Sequence, residues 1–275
     1  MHCNILESTE GARGRMVAGA ARGGGSGPTG AAPRLPRLLC LHGFQTSARI
    51  LEAQLARAGW GRLAECRALD APFISRGEIP GEVLRAFPGL GPHREWWNAE
   101  KLPGGDGYDY RGVDASVAAV DDALRAAADR GEPFDGLLGF SQGAGLAHVF
   151  MCLAGEREAA AEGPARGGRT PAPRFSVLIG GFSSRHGGHR ALLGRCRGEQ
   201  GWSGYPCVHI WGARDPAKMG AQRLVRAFPE GQALSMEHPG GHIVPALGAA
   251  DLERVQRFLL RHQLPQGSPS PTSSL

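Results

Sequence analysis

Residues 134–155 read FDGLLGFSQGAGLAHVFMCLAG. The first seven make an apolar run of strand length, and from 143 to 155 the chain is apolar nearly all round a helix, so both elements are expected to be buried. Their junction is Gly139-Phe140-Ser141-Gln142-Gly143, a match to G-x-S-x-G. In a chain with 43 glycines among 275 residues, the bare pattern is close to a chance event. Its position gives it weight: a buried strand leading directly into a buried helix is the setting in which a tight turn lifts a serine clear of a sheet edge. The flanking glycines remove the Cβ atoms that such a turn would force together. The helix that follows aims its first amides at the place where negative charge develops in acyl transfer. Ser141 is therefore the candidate nucleophile.

Outward from this junction, strand-like and helix-like stretches alternate. RLLCLH (37–42) and CRAL (66–69) flank a helix carrying Ile50, Leu51, Leu55 and Ala58, and Val113, Val117, Val120 and Leu124 share one face of another. FSVLIGGF (175–182) and CVHIWG (207–212) read as strands buried on both faces. A helix around 218–228, a strand QALSMEH (232–238) and a helix with Leu252, Val255, Phe258 and Leu259 follow. This alternation predicts an α/β fold, a mostly parallel central sheet with helices on both faces. The predicted domain spans 36–264. Residues 1–35, with GGGSGPTGAAP, and 265–275, ending SPSPTSSL, read as disordered tails, and 155–173 reads as a surface insertion.

Composition narrows the function classes. Gly 43 and Pro 20 carry no G-X-Y period, which excludes collagen, and 41% hydrophobic residues suffice for a core. The net charge of +5 comes from scattered arginines, not a basic stripe interleaved with aromatics, so no nucleic-acid partner is expected. No apolar run reaches the length of a membrane span. Six cysteines without a C-x-x-C pair, several inside apolar runs, suit reduced core thiols and a cytoplasmic location. The Arg- and Ala-bearing N-terminal stretch leaves organellar targeting open, with Glu7 and Glu10 against it.

A serine nucleophile needs a base, and the base an orienting acid, in the chain order Ser, Asp or Glu, His. Asp215, just past strand 207–212, and His242, just past strand 232–238, fall at the same sheet edge as Ser141. Asp215 could instead only cap the next helix, and His238 could be the base. His242 is preferred because Gly240-Gly241 gives it an uncrowded loop. Oxyanion donors are expected in the backbone N–H groups of Gln142 and Phe44, both main-chain roles, with Gly43 allowing close approach. His42 is expected to fix that loop by hydrogen bonding.

LCLHGFQTS, the tryptophan pair 96–97, Tyr110-Arg111-Gly112, FDGLLGFSQGAGLA, GGF at 180–182, HIWGARDP and HPGGHIVP occur in one order. Together they resemble the family of serine hydrolases known as FSH, over about 36–263. The GFSQG elbow is also similar to that of acyl-protein thioesterases and small carboxylesterases, but the tryptophan pair and the YRG segment favour the first family. The resemblance implies an α/β-hydrolase fold and cleavage of carboxylic esters or thioesters by Ser141, Asp215 and His242. A serine peptidase or lactonase, or a non-catalytic binding protein retaining the fold, are the alternatives. Departures from the family are the 155–173 insertion and an expanded stretch at 184–206.

Segment 75–110 is too long for a bare connection and too Gly/Pro-broken for one helix, which makes it a candidate lid. Trp96, Trp97, Tyr108 and Tyr110 would wall a site for a small acyl substrate, with Phe182 a further pocket residue; alternatively the tryptophans only anchor the loop. His186 and His189 lack both a helix and a third ligand, so neither metal nor cofactor is expected. GGGSG at 23–27 lacks the strand and the Lys-Ser/Thr of a phosphate loop.

Overall fold

The structure of the protein, a computed structural model, describes residues 34–104, 107–160, 172–196 and 204–265. In chain order, β1 (Arg37–Leu41), α1 (Ala48–Arg57) and β2 (Glu65–Leu69) come first. A long connection then holds β3 (Phe73–Ile74), α2 (Gly81–Ala86), β4 (Arg94–Glu95), β5 (Asn98–Lys101) and β6 (Tyr108–Arg111). Next are α3 (Val113–Asp129), β7 (Gly136–Phe140), α4 (Gln142–Ala159), β8 (Phe175–Ile179) and α5 (Arg190–Cys196). The series closes with β9 (Cys207–Gly212), α6 (Lys218–Val225), β10 (Ala233–His238) and α7 (Ala249–His262). Six strands make one parallel sheet in the order β10-β9-β8-β7-β1-β2.

The side-chain alternation of the strands divides the core in two. Leu39, Leu41, Leu137 and Leu178 pack with Val117, Val120, Leu146, Phe150, Leu192 and Leu224 from α3–α6. Leu38, Cys40, Leu138, Phe140, Val177 and Ile179 pack with Leu51, Leu55, Val255 and Leu259 from α1 and α7. A strand with helices on both faces has no polar side to show, so β7 and β8 are buried at every position. The edge strands β2 and β10 are half exposed.

One buried carboxylate ties the described ends of the chain together. Asp135, 0% exposed, takes two hydrogen bonds from the Arg34 guanidinium at 2.7 and 2.8 Å. It also accepts the N–H groups of Arg37 at 2.6 Å and Leu264 at 2.7 Å. The charge is thus both paired and hydrogen-bonded, the condition under which burial is tolerated.

The structure revises several sequence expectations. α4 runs on to Ala159, so residues 155–159 are helical and not part of an insertion: Glu, Arg and Ala in GEREA are good helix formers whether or not they face a core. β8 stops at Ile179 because Gly180 turns to φ +57°. Segment 75–110 carries α2, a strand β4 that pairs back to β3 just before the segment, and the antiparallel pair of β5 with β6. α5 lies inside the expanded stretch. The tails at 1–33 and 266–275, and residues 161–171 and 197–203, lie outside the described residues.

Candidate active site

Ser141 sits between β7 and α4 at φ 54°, ψ −115°, a left-handed backbone that only Gln45 shares among the described non-glycine residues. Its N–H donates to the Ile179 carbonyl at 2.9 Å, which fixes the turn to the end of β8. Both elbow glycines are required by contact. A Cβ on Gly139 would fall 2.4 Å from the Gly143 carbonyl oxygen, and one on Gly143 would fall 2.1 Å from that of Leu41. Strain of this kind persists only where the surroundings hold it.

Asp215 follows the end of β9, its side chain 2% exposed. Its two oxygens have separate partners. Oδ1 accepts the Ala217 N–H at 2.7 Å, and Oδ2 accepts from His242 Nδ1 at 2.8 Å. The first bond closes a turn ahead of α6, whose N-cap is Ala217 without a side-chain cap, and the second holds the imidazole. With Nδ1 donating to the carboxylate, Nε2 of His242 is left with its lone pair free to take a proton.

The loop carrying His242 crosses directly over the end of β9. A Cβ on Gly212 would meet the Gly241 and Gly240 carbonyl oxygens at 2.2 and 2.5 Å, and Arg214 N–H bonds to Gly240 at 3.0 Å. The imidazole lies on the Phe140 ring, centroids 4.9 Å apart, and against Gly180, so it stands beside the two residues flanking the Ser141 anchor. His238 is not placed on the carboxylate; its Nδ1 accepts the Gly240 N–H at 3.1 Å and shapes the turn.

On the other side of the elbow, a Cβ on Gly43 would come within 3.4 Å of Ser141 Cβ, so the β1–α1 loop presses against the serine. Phe44 follows in a turn, its side chain 47% exposed. His42, fully buried, holds the loop as expected: Nδ1 bonds to the Gly43 carbonyl at 2.8 Å and Nε2 accepts the Ala71 N–H at 3.1 Å. Accepting at Nε2 requires the neutral ring, and burial pushes its pKa down to about 4.

Gln142 opens α4, so its N–H lies in the first turn, without an acceptor inside the helix. The expectation of a main-chain role alone is incomplete. The buried side chain accepts the Trp96 N–H through Oε1 and donates to the Trp97 carbonyl through Nε2, each at 2.9 Å. Nothing in G-x-S-x-G signals this; the remote tryptophan pair was the only hint.

Trp96, 0% exposed, is an anchor and not a wall: its indole N–H donates to the His42 carbonyl at 2.8 Å. Trp97 stacks on Tyr110 with centroids 4.8 Å apart, and Tyr110 Oη accepts the Arg185 N–H at 3.1 Å. Trp97 and Phe182 converge on Gly145, where a Cβ would fall 3.4 and 3.2 Å from their rings. His186 and His189 have ring centroids 4.6 Å apart. Among the described residues, no group of three or more His, Cys, Asp or Glu is arranged to hold a metal ion. No described helix is long and apolar enough to cross a membrane.

The family described as serine hydrolase (FSH1) matches residues 32–251. Esterase OVCA2 of Homo sapiens is 34% identical over 233 residues, which cover 78% of this chain and 92% of that protein. Esterase pigG of Monascus ruber is 32% identical over 247 residues, covering 77% and 85%. Among solved structures, SOBER1 of Arabidopsis thaliana matches with a TM-score of 0.50 at 16% identity, covering 83% of this chain and 99% of that one, a likeness of α/β fold.

Proposed function

The chain is a hydrolase of the serine hydrolase (FSH1) family, and from that premise we propose that it cleaves carboxylic esters or thioesters through an acyl-enzyme on Ser141. The observation that carries the reading is the 2.8 Å hydrogen bond from His242 Nδ1 to a buried Asp215, with the imidazole packed beside the Ser141 elbow. His242 Nε2 takes the hydroxyl proton as Ser141 Oγ bonds to the substrate carbonyl carbon. The resulting oxyanion is held by the N–H groups of Phe44 and Gln142. Nε2 then returns the proton to the departing alkoxide or thiolate. A water, deprotonated by the same nitrogen, attacks the acyl-enzyme, and the acid leaves as Ser141 recovers its proton. Asp215 keeps the proton on Nδ1 and stabilises the imidazolium.

In this reading the catalytic unit is 36–264, the substrate is a small acyl ester or thioester, and no cofactor takes part. Trp97, Tyr110 and Phe182 contribute one aromatic side of the acyl site, with Trp96 behind them. Free thiols at Cys40, Cys152, Cys196 and Cys207 suit a reducing, cytoplasmic setting. Fluorophosphonate labelling tests the proposal: native protein labels and Ser141→Ala does not, alongside turnover of p-nitrophenyl esters by the native chain only. Equal labelling of both overturns it.

A further inference from the structure

We propose that Trp96 and the side chain of Gln142 are positioning residues that set the spacing between the two oxyanion donors; the inference rests on the hydrolase reading above. The donors come from segments with no short covalent path between them, the first turn of α4 and the loop after β1. Trp96 reaches both. Its backbone N–H ends on Gln142 Oε1 at 2.9 Å, and its indole N–H ends on the His42 carbonyl at 2.8 Å, two residues before Phe44. Gln142 Nε2 holds the Trp97 carbonyl at 2.9 Å, so the amide grips the dipeptide at two points. Ser116 Oγ donates to the Trp96 carbonyl from α3.

The chain of contacts continues without a gap into the loop. Beyond its indole acceptor, His42 bonds to the Gly43 carbonyl through Nδ1, and Thr46 Oγ1 donates to the same oxygen at 2.7 Å. Trp96 and His42 are 0% exposed and Gln142 6%, so a lost partner leaves a buried polar group to find another. Removing one contact therefore shifts the groups it held. A donor displaced by a fraction of an ångström loses more in the transition state than in the ground state, because the oxyanion exists only in the former.

Two variants test this. Trp96→Phe removes the indole donor, and Gln142→Glu sets an oxygen against the Trp97 carbonyl. Each is expected to lower kcat by about 10- to 100-fold with KM within about threefold. Affinity for a trifluoromethyl ketone, whose adduct carries the oxyanion, falls in the same proportion, while the acid limb of the kcat/KM pH profile stays in place. The double variant loses less than the product of the two, since both break one chain of contacts. Ser116→Ala frees the Trp96 carbonyl without removing a ring and gives the same pairing at about threefold, which keeps the test open where either larger variant does not fold. Folded variants with native kcat, or with reduced kcat but native ketone affinity, overturn the proposal. Failure of the hydrolase reading itself is distinct: the native enzyme then neither labels nor turns over.

Discussion

His242 occupies the space that a side chain at Gly180 would need: an added Cβ would lie 2.8 Å from its Cε1, 3.0 Å from its Nδ1 and 3.4 Å from Asp215 Oδ2. Gly180 also holds φ +57°, which costs an alanine about 1–2 kcal/mol. Gly180→Ala should therefore push the imidazole off its carboxylate and lower kcat/KM by about 100-fold or more. Circular dichroism should show an intact fold. Native turnover by a folded Gly180→Ala would remove the geometric basis of the assignment.

His238, which ends β10, and His242 in the loop after it should separate cleanly. Asp215→Asn leaves the Ala217 N–H an acceptor but no longer fixes the proton on Nδ1, and a loss of about 10³–10⁴ in kcat is expected from the wrong tautomer. His242→Gln should be comparably inactive. His238→Gln, which affects only the turn at Gly240, should keep kcat within about threefold. Steady-state rates on one ester decide the matter; a dead His238→Gln beside an active His242→Gln would reverse the assignment.

Stability should fall on mild acidification. Burial lowers the pKa of His42 from 6.5 to about 4 and that of His209 to about 3. Between pH 6.5 and these values the unfolded chain binds protons that the native state refuses, so stability is full above 6.5 and lost as pH falls. Each histidine contributes at most about 1.4 kcal/mol per pH unit, and His189, His238 and His262, also lowered by burial, add to the slope. Urea unfolding at pH 7.5, 6.5, 5.5 and 4.5 measures it. A flat profile over that range contradicts the neutral buried histidines.

Asp135→Ala strands the Arg34 guanidinium and the N–H groups of Arg37 and Leu264 at once. Loss of one partner of a buried, hydrogen-bonded charge costs about 3–5 kcal/mol, and the partial exposure of Arg34 (29%) places the expectation near the lower end. The unfolding midpoint should drop accordingly, while kcat per folded molecule stays native. An unshifted midpoint would show that solvent replaces these contacts at no cost.

Much of this was legible in the residues because the features concerned are periodic or local. Strands β1, β7, β8 and β9, buried on both faces, announce themselves as apolar runs, and Ser141, Asp215 and His242 each follow one of the strands that end at the same edge. β3 to β6 left no such trace: two to four residues long, they are held by pairing and by the tryptophans, not by their own pattern. Arg190–Cys196 was hidden for the opposite reason, a short helix set in a Gly-rich stretch. G-x-S-x-G specifies the place of Gln142 in the turn, hence its N–H, and says nothing about a partner at position 96. The sequence alone offers Trp96 as a wall or an anchor, because aromatic size fits a pocket and a core equally well; its burial and its bond to His42 favour the anchor.

β7 is five residues long, with Asp135 immediately before it and Ser141 immediately after. At about 3.3 Å per residue the two stand roughly 20 Å apart, beyond the range within which substitutions perturb one another. In the proposed mechanism, the stability supplied at Asp135 and the chemistry assigned to Ser141 thus lie at opposite ends of one strand, and each should be alterable without the other. A stability gain made around Asp135 should combine additively with a turnover change made around Ser141, without the usual trade between stability and rate.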